Sequence, residues 1–161
     1  MNTHEGPMSI RHVLLVPVAL ALPSTGSARE DCTGTRAPGT VRLTVEAIGL
    51  RNAAGEVAFT VYPDNPRRFL APRGKLLRIR VPARLPVTRA CFWLRPGQYA
   101  LAQYHDENAD HDFNRRWLRP TEGFGFSNDA LTSRGVPRLR SVLFSLPAEG
   151  RTMRMRMRYL R

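Results

Sequence analysis

The sequence predicts an all-β fold: a single antiparallel β-sandwich of about seven strands, with a long loop between the fifth and sixth strands. Three observations predict it. Short segments alternate apolar and polar residues, proline and glycine separate these segments, and no segment of helical length shows a convincing helical period. A chain of 161 residues with 42% hydrophobic content suits one domain with a substantial core.

The alternation is clearest in the first two predicted strands, where Val, Leu and Phe side chains alternate with polar ones. Pro63 ends the second strand, since proline cannot donate to a β-ladder. The last strand reads Met-Arg-Met-Arg-Met-Arg-Tyr, which predicts methionines facing the core and arginines facing solvent. The predicted strands are residues 40–48, 56–62, 77–81, 90–94, 98–105, 140–146 and 153–159.

Residues 1–28 have the order of a secretory signal peptide, so we expect the sandwich domain to span residues 29–161. Basic residues precede an apolar run at 13–22, and Gly26 and Ala28 occupy the −3 and −1 positions of a cleavage site. The run is well short of the ~20 residues that span a bilayer, so we expect no transmembrane span after cleavage; a retained anchor is the alternative. Export places the protein in the periplasm or outside the cell.

Two cysteines, Cys32 and Cys91, lie on the exported side of the cleavage site. In an oxidising compartment we expect them to form one disulfide, which ties the N-terminal arm to a central strand. The alternative is two unpaired buried cysteines.

The net charge of +12 comes almost entirely from arginine, because Lys75 is the only lysine. The coding bias of a GC-rich genome explains such a composition. The alternative is attraction through Arg-rich strands to polyanions, such as phosphorylated glycans of the cell envelope. Nothing resembles a nucleic-acid-binding motif, so we expect no specific nucleic-acid partner.

Acidic residues cluster at the start of the loop between the fifth and sixth strands, a connection far longer than an ordinary hairpin. Loops of that length inside compact domains are usually functional or disordered. We expect order here, because the loop carries four aromatic residues that can anchor it by burial: Phe113, Trp117, Phe124 and Phe126.

Alternating acidic and amide residues predict that this loop binds Ca²⁺, since hard cations take several oxygen ligands. The candidate ligands are Asp106, Asn108, Asp110, Asp112, Asn114 and Glu122. The pattern departs from the EF-hand loop, because His111 stands where that loop has Gly and Trp117 where it has Glu. The alternative is a polar turn whose Asp and Asn side chains cap their own backbone.

His105 and Asp106 are the candidates for a hydrolase-type enzyme. His105 and His111 are six residues apart, which is no standard zinc spacing. A His–Asp neighbour pair without a nucleophile in register is not a catalytic triad. We therefore expect no enzymatic activity, with the hydrolase as the weaker alternative.

Three segments together resemble a bacterial domain-of-unknown-function family, number 2141. They are residues 49–52 (Gly-Leu-Arg-Asn), residues 97–108, which end in His-Asp-Glu-Asn, and residues 120–128 (Pro-Thr-Glu-Gly-Phe-Gly-Phe-Ser-Asn). The resemblance extends over essentially the whole mature chain. Two features depart from the family. The family usually has small residues around positions 109–111 and an acid near Asn114, where this chain has an amide, and it has one more residue between Trp117 and Pro120.

The resemblance implies an exported β-sandwich of transthyretin-like or prealbumin-like type, within the wider transthyretin/immunoglobulin-like class, with no established activity. Some transthyretin relatives hydrolyse a purine-derived ring and end in Tyr-Arg-Gly-Ser. This chain ends in Tyr-Leu-Arg, so that activity is not implied. The expected function is an exported, non-enzymatic module whose Ca²⁺-structured loop serves a protein or glycan partner at the cell envelope.

Overall fold

The computed structural model describes Met1 and residues 32–117, 119–132 and 136–160. Apart from Met1, the predicted signal peptide lies outside the described residues. The strands are β1 (Val41–Ile48), β2 (Glu56–Pro63), β3 (Leu77–Pro82), β4 (Val87–Leu94), β5 (Gly97–Asp106), β6 (Arg115–Arg116), β7 (Arg119–Pro120), β8 (Gly123–Phe126), β9 (Phe144–Leu146) and β10 (Arg151–Arg156). A 3₁₀ turn covers Ser127–Asp129, and a single-turn helix, α1, covers Leu139–Val142.

Two sheets form a β-sandwich, which confirms the predicted fold class. The first sheet has the order β10-β1-β4, and the second has the order β3-β2-β5-β8, with β9 also paired to β5. In one detail the sandwich is not purely antiparallel, because β1 pairs with β10 in parallel and with β4 antiparallel. Strands β6 and β7 form a separate two-stranded hairpin.

The core lies between the sheets, and it follows from the period-two alternation of their strands. From the first sheet, Leu43, Phe92 and Met155 are fully buried, and the second sheet contributes Phe59 and Leu101. The remaining methionines of the terminal segment are buried too, which confirms their predicted inward orientation.

The second sheet also packs on its outer face. There Tyr62 and Ala100 form a second apolar cluster with Phe126 and with Val142 of α1. Phe69 joins this cluster, with its ring centroid 5.5 Å from that of Tyr62. The second sheet is therefore apolar on both faces.

The predicted disulfide is present: Cys32 is bonded to Cys91 of β4. Next to it, Thr33 N–H donates to the Cys91 carbonyl at 3.0 Å, and Trp93 N–H donates to the Thr33 carbonyl at 2.9 Å. The N-terminal arm is thus held against β4 by one covalent bond and a short backbone bridge.

The predicted sixth strand, residues 140–146, is wrong in its first half. Residues Leu139–Val142 form α1, and only Phe144–Leu146 is a strand. The run Leu-Arg-Ser-Val-Leu-Phe-Ser-Leu fits either structure by its period, and Ser141 favours the turn because its hydroxyl donates to the Arg138 carbonyl at 2.7 Å.

The long connection after β5 is not one irregular loop. It contains the β6–β7 hairpin and a further strand, β8, which pairs with the end of β5. Among the described residues, no helix is long and apolar enough to cross a membrane.

Candidate metal centre

Two residues far apart in sequence meet because β8 pairs antiparallel with β5. Asp106 is the last residue of β5, and Glu122 directly precedes β8. The register sets His105 opposite Gly123, so the neighbouring residues, Asp106 and Glu122, lie side by side at the same end of the sheet. Both side chains are buried.

The structure brings three of the predicted ligands together. Carboxylate oxygens of Asp106, Asp110 and Glu122 all lie within 4.8 Å of one another. Asn108 and Asn114 adjoin this group, since the side-chain amide of each donates to Asp110 Oδ2 at 2.7 Å. Five of the six predicted ligands therefore converge at one place.

Asp112 does not join the carboxylate group. One of its carboxylate oxygens accepts the N–H of its neighbour Phe113 at 2.8 Å, so it caps its own backbone. Alternate spacing alone made Asp112 a candidate, but the chain turns at Ala109 and again at His111, whose φ values are +54° and +67°. From the first of these turns onward, alternation no longer decides where side chains point.

The carboxylates of the group also cap the backbone of the loop. Asp106 accepts the N–H groups of Asp110 at 3.2 Å and His111 at 2.8 Å, and Glu122 accepts the N–H of Asn114 at 3.1 Å. These bonds fix the loop around the carboxylates. Polar-turn capping and convergence of the carboxylates thus occur together.

The pKa values of two carboxyl groups in this cluster, those of Glu122 and Asp110, shift in opposite directions. Burial raises the pKa of Glu122; the Asn114 N–H opposes this, and the negative charges of Asp106 and Asp110 add to the rise. The pKa of Asp110 is lowered, mainly by the hydrogen bond from the Asn114 amide. Three carboxylates so close together, two of them buried, repel one another, and a bound cation relieves that repulsion.

The two histidines near the acids have other partners. Buried His105 has its Nδ1 2.6 Å from the Tyr159 hydroxyl and its Nε2 2.7 Å from the Ala54 carbonyl. A carbonyl only accepts, so Nε2 donates to it, and Nδ1 also lies 3.7 Å from Glu107 Oε1. Exposed His111 has its Nε2 3.5 Å from Glu56 Oε1.

A shallow cleft of about 420 Å³ opens beside the carboxylates. Across it, Arg51 forms a two-pronged ion pair with Glu107, and Asn52 donates to the same carboxylate at 2.9 Å. The hydrogen bonds from Arg51 are the main reason that the pKa of Glu107 is lowered. Sequence reasoning missed this pair; the signal for it was Glu107 within the acidic cluster and Arg51 in the turn after β1.

The loop is anchored by aromatic rings, but not by all four that were predicted. Phe113 lies between Tyr104 and Phe124, with ring centroids 5.4 and 5.9 Å away. Phe126 is buried as well. The prediction is wrong for Trp117, which is 92% exposed because it directly follows the two-residue strand β6, whose own residues are exposed.

The arginines of the terminal strand have partners within the protein. Arg154 donates to Glu46 Oε2 at 3.0 Å, and Arg89 holds the other oxygen of that carboxylate at 2.8 Å. Arg158 donates to the carbonyls of Asp129 and Ala130. The charge of Arg154 is therefore balanced by Glu46, and the Arg158 guanidinium is held by backbone carbonyls.

No curated protein matches the chain, and no solved structure matches it. A model of one protein family matches residues 45–154, a span that runs from the middle of β1 to the middle of β10 and includes all of the converging carboxylates. That span is more than half of the chain. The chain therefore belongs to the family described as "Uncharacterized protein conserved in bacteria (DUF2141)".

Proposed function

We propose that this protein is an exported, non-enzymatic binding module whose acidic loop takes one Ca²⁺ ion and presents the adjoining surface to a partner at the cell envelope. The observation that carries the proposal is the convergence of Asp106, Asp110 and Glu122 within 4.8 Å. The disulfide supports export, because such bonds persist in oxidising compartments. Within the sandwich class, a transthyretin-like arrangement is part of the same proposal.

The donor set fits a hard cation. Ca²⁺ takes six to eight oxygen ligands at about 2.3–2.6 Å, in a flexible geometry. Three carboxylates supply the negative charge, and rotation of the Asn108 and Asn114 amides turns their oxygens toward the ion, with water completing the shell. These amides now donate to Asp110, so ion binding replaces those hydrogen bonds with ligation.

A binding role fits the same residues better than catalysis does. Both nitrogens of His105 are engaged, and both carboxylate oxygens of Asp106 accept backbone N–H groups. A catalytic His–Asp pair needs one of these groups to face a substrate. The partner is a protein or an acidic glycan of the envelope, and the Arg-rich strands are the alternative contact surface for the glycan.

Thermal unfolding with Ca²⁺ and with chelator tests the metal site. A Ca²⁺ concentration one hundredfold above Kd adds about 2.7 kcal/mol to the free energy of unfolding, which raises the midpoint by roughly 5–15 °C. The double variant Asp110→Asn/Glu122→Gln is expected to lose that shift. Asp112→Asn, a matched change outside the carboxylate group, is expected to keep it.

The result that counts against the site is a wild-type midpoint that stays unchanged across millimolar Ca²⁺. Mg²⁺ at equal concentration is the control for nonspecific ion effects, since Mg²⁺ requires a near-octahedral shell and gives up its waters reluctantly. Equal shifts with both ions would also argue against a Ca²⁺ site.

A further inference from the structure

A larger cleft, of about 670 Å³, lies on the outer face of the second sheet, away from the sandwich core. The sheet forms its floor, and residues of the β6–β7 hairpin form one wall. Pockets that hold small molecules in proteins have volumes of about 300–1,000 Å³. The cleft is therefore large enough for a small organic ligand.

The floor of this cleft is apolar and mostly aromatic. Successive strand residues point to opposite faces, so Tyr62, Ala102 and Tyr104 point away from the side chains that fill the core. Phe124 and Phe126 of β8 lie on the same face, with ring centroids 6.3 Å apart. Because each ring packs edge-on or tilted against a neighbouring ring, the floor is already formed without a ligand.

The charged side chains among the described lining residues of the cleft all have one sign. These lining residues include three arginines, Arg78, Arg115 and Arg119, and no aspartate or glutamate. Arg78 Nε donates to the Thr60 hydroxyl at 2.7 Å, and the same guanidinium hydrogen-bonds the Tyr62 hydroxyl, which positions it at the cleft. Arginine is suited to binding an anion, because its fork of donors matches the oxygens of a carboxylate or phosphate.

Two of these arginines lie over aromatic rings of the cleft. The guanidinium carbon of Arg115 is 5.2 Å from the centre of the Phe113 ring, and that of Arg78 is 5.9 Å from the centre of the Tyr104 ring. These contacts hold the cations at the boundary between the apolar floor and solvent. Val136, 73% exposed, and Leu160, 47% exposed, extend the apolar lining to the edge of the cleft.

We propose that this cleft binds an amphiphilic anion: one acid group is held by Arg78, Arg115 and Arg119, and an apolar body lies against the aromatic floor. Complementarity of charge and of polarity selects this class. A neutral apolar ligand leaves the arginines without an acceptor, and a purely polar anion leaves the aromatic floor without a contact. The site shares no residue with the carboxylate group Asp106, Asp110 and Glu122, and only Arg115 lines both this cleft and the one beside the carboxylates among the described residues.

Calorimetric titration of the protein with decanoate, below its micelle concentration, tests the proposal. We expect saturable binding of one decanoate per chain. Acetate has the carboxylate without the alkyl chain, and decyltrimethylammonium has the alkyl chain with a positive charge. Neither is expected to bind measurably. A parallel titration with 2-naphthoate distinguishes an alkyl body from an aromatic one, and the tighter anion identifies the body that the floor prefers.

Two variants locate the binding in the cleft. Ala102→Phe places a ring in the middle of the floor and is expected to abolish decanoate binding. Arg115→Gln/Arg119→Gln removes two exposed cations and is expected to weaken binding by about tenfold or more, since hydrogen bonds to charged groups are the stronger ones. The matched control is Arg116→Gln/Arg140→Gln, which removes the same charge outside the lining and is expected to bind within about twofold of wild type.

Three results would overturn the proposal. The first is no saturable binding of either anion to the wild-type protein. The second is binding of decyltrimethylammonium as tight as that of decanoate. The third is an equal loss in the Arg115/Arg119 and Arg116/Arg140 double variants, which would trace the effect to net charge. The arginine variants change only exposed side chains, so they decide the question even where Ala102→Phe does not fold.

Discussion

Gly123 and Gly125 of β8 are needed because the chain that leaves β10 crosses directly over them. A Cβ at Gly125 would lie 2.4 Å from the Arg156 carbonyl oxygen, and one at Gly123 would lie 2.4 Å from the Tyr159 ring. The segment after β10, residues 157–160, is called the tail. Its backbone is hydrogen-bonded to β8, because Phe124 and Arg158 exchange two N–H···O=C bonds of 2.9 Å. The Gly-Phe-Gly-Phe pattern thus places bare backbone under the tail and turns both rings to the cleft.

Gly125→Ala is expected to lower the free energy of unfolding by about 1–3 kcal/mol, because the added methyl meets a backbone oxygen that has no alternative rotamer. Urea denaturation measures the change. Gly97→Ala is the control, since its Cβ meets nothing closer than the Tyr99 ring at 3.6 Å. A Gly125→Ala protein as stable as the Gly97→Ala protein would contradict this account of β8.

Glu46 lies in the middle of the first sheet between two cross-strand arginines. The hydrogen bond from Arg89, and after it that from Arg154, lowers the pKa of Glu46 below its ordinary value. A carboxylate with a lowered folded-state pKa adds stability above its unfolded-state pKa, and that stability is lost as the pH falls through the folded-state value.

We therefore expect Glu46→Gln to be less stable than wild type at pH 7, with the difference shrinking toward zero as the medium is acidified below the folded-state pKa of Glu46. Urea denaturation at a series of pH values measures this difference. The same substitution at exposed Glu149 is the control. A Glu46→Gln deficit that stays constant with pH would show that the carboxylate charge is not responsible.

Among the strands, those with one buried face were predicted correctly from the sequence. In β1, the alternation of Leu43, Val45 and Ala47 with polar residues predicted both the strand and its buried face. The parallel direction of the β1–β10 pair could not be predicted, because side chains alternate in the same way in parallel and antiparallel strands. Strand β8 was missed because glycine has low strand propensity, and only the neighbouring tail explains its presence.

The candidate metal site was also only partly predictable from the sequence. Local spacing predicted Asp106 and Asp110, which are four residues apart, but placing Glu122 beside them required the β5–β8 pairing. The amphiphile cleft was missed entirely, since its arginines and rings come from five separate segments. The available signal was the outward position of Tyr62 on β2, Tyr104 on β5, and Phe124 and Phe126 on β8.

The β6–β7 hairpin is expected to be held by its base and not by its tip. Phe113→Ala removes a ring packed between Tyr104 and Phe124, so we expect it to lower the free energy of unfolding by about 1–3 kcal/mol. Trp117→Ala changes a side chain that is 92% exposed, and is expected to stay within about 0.5 kcal/mol of wild type. Chemical denaturation compares them, and a larger loss for Trp117→Ala would mean that the tip packs on the domain.

For the whole molecule, the disulfide is the one covalent cross-link between the N-terminal arm and the sandwich that the described residues contain. It joins residues 59 positions apart, and a closed loop of that length contributes about 4 kcal/mol through the entropy of the unfolded chain. We expect Cys32→Ser/Cys91→Ser to fold with its denaturation midpoint lowered accordingly. The reduced wild-type protein is the matched comparison, and we expect its midpoint to be lowered by the same amount. If the variant and the reduced protein had the same midpoint as the oxidised protein, the disulfide would not stabilise the fold by this entropic effect.

At the end of the second sheet, β5–β8 pairing brings buried Glu122 to Asp106 and Asp110, where we propose that one Ca²⁺ ion binds. Isothermal titration of the chelator-treated protein with Ca²⁺ measures this binding. We expect saturable binding of one ion per chain, retained in Asp112→Asn and lost in Asp110→Asn/Glu122→Gln. Absence of saturable binding to the wild-type protein, or full binding by the double variant, would contradict this proposal.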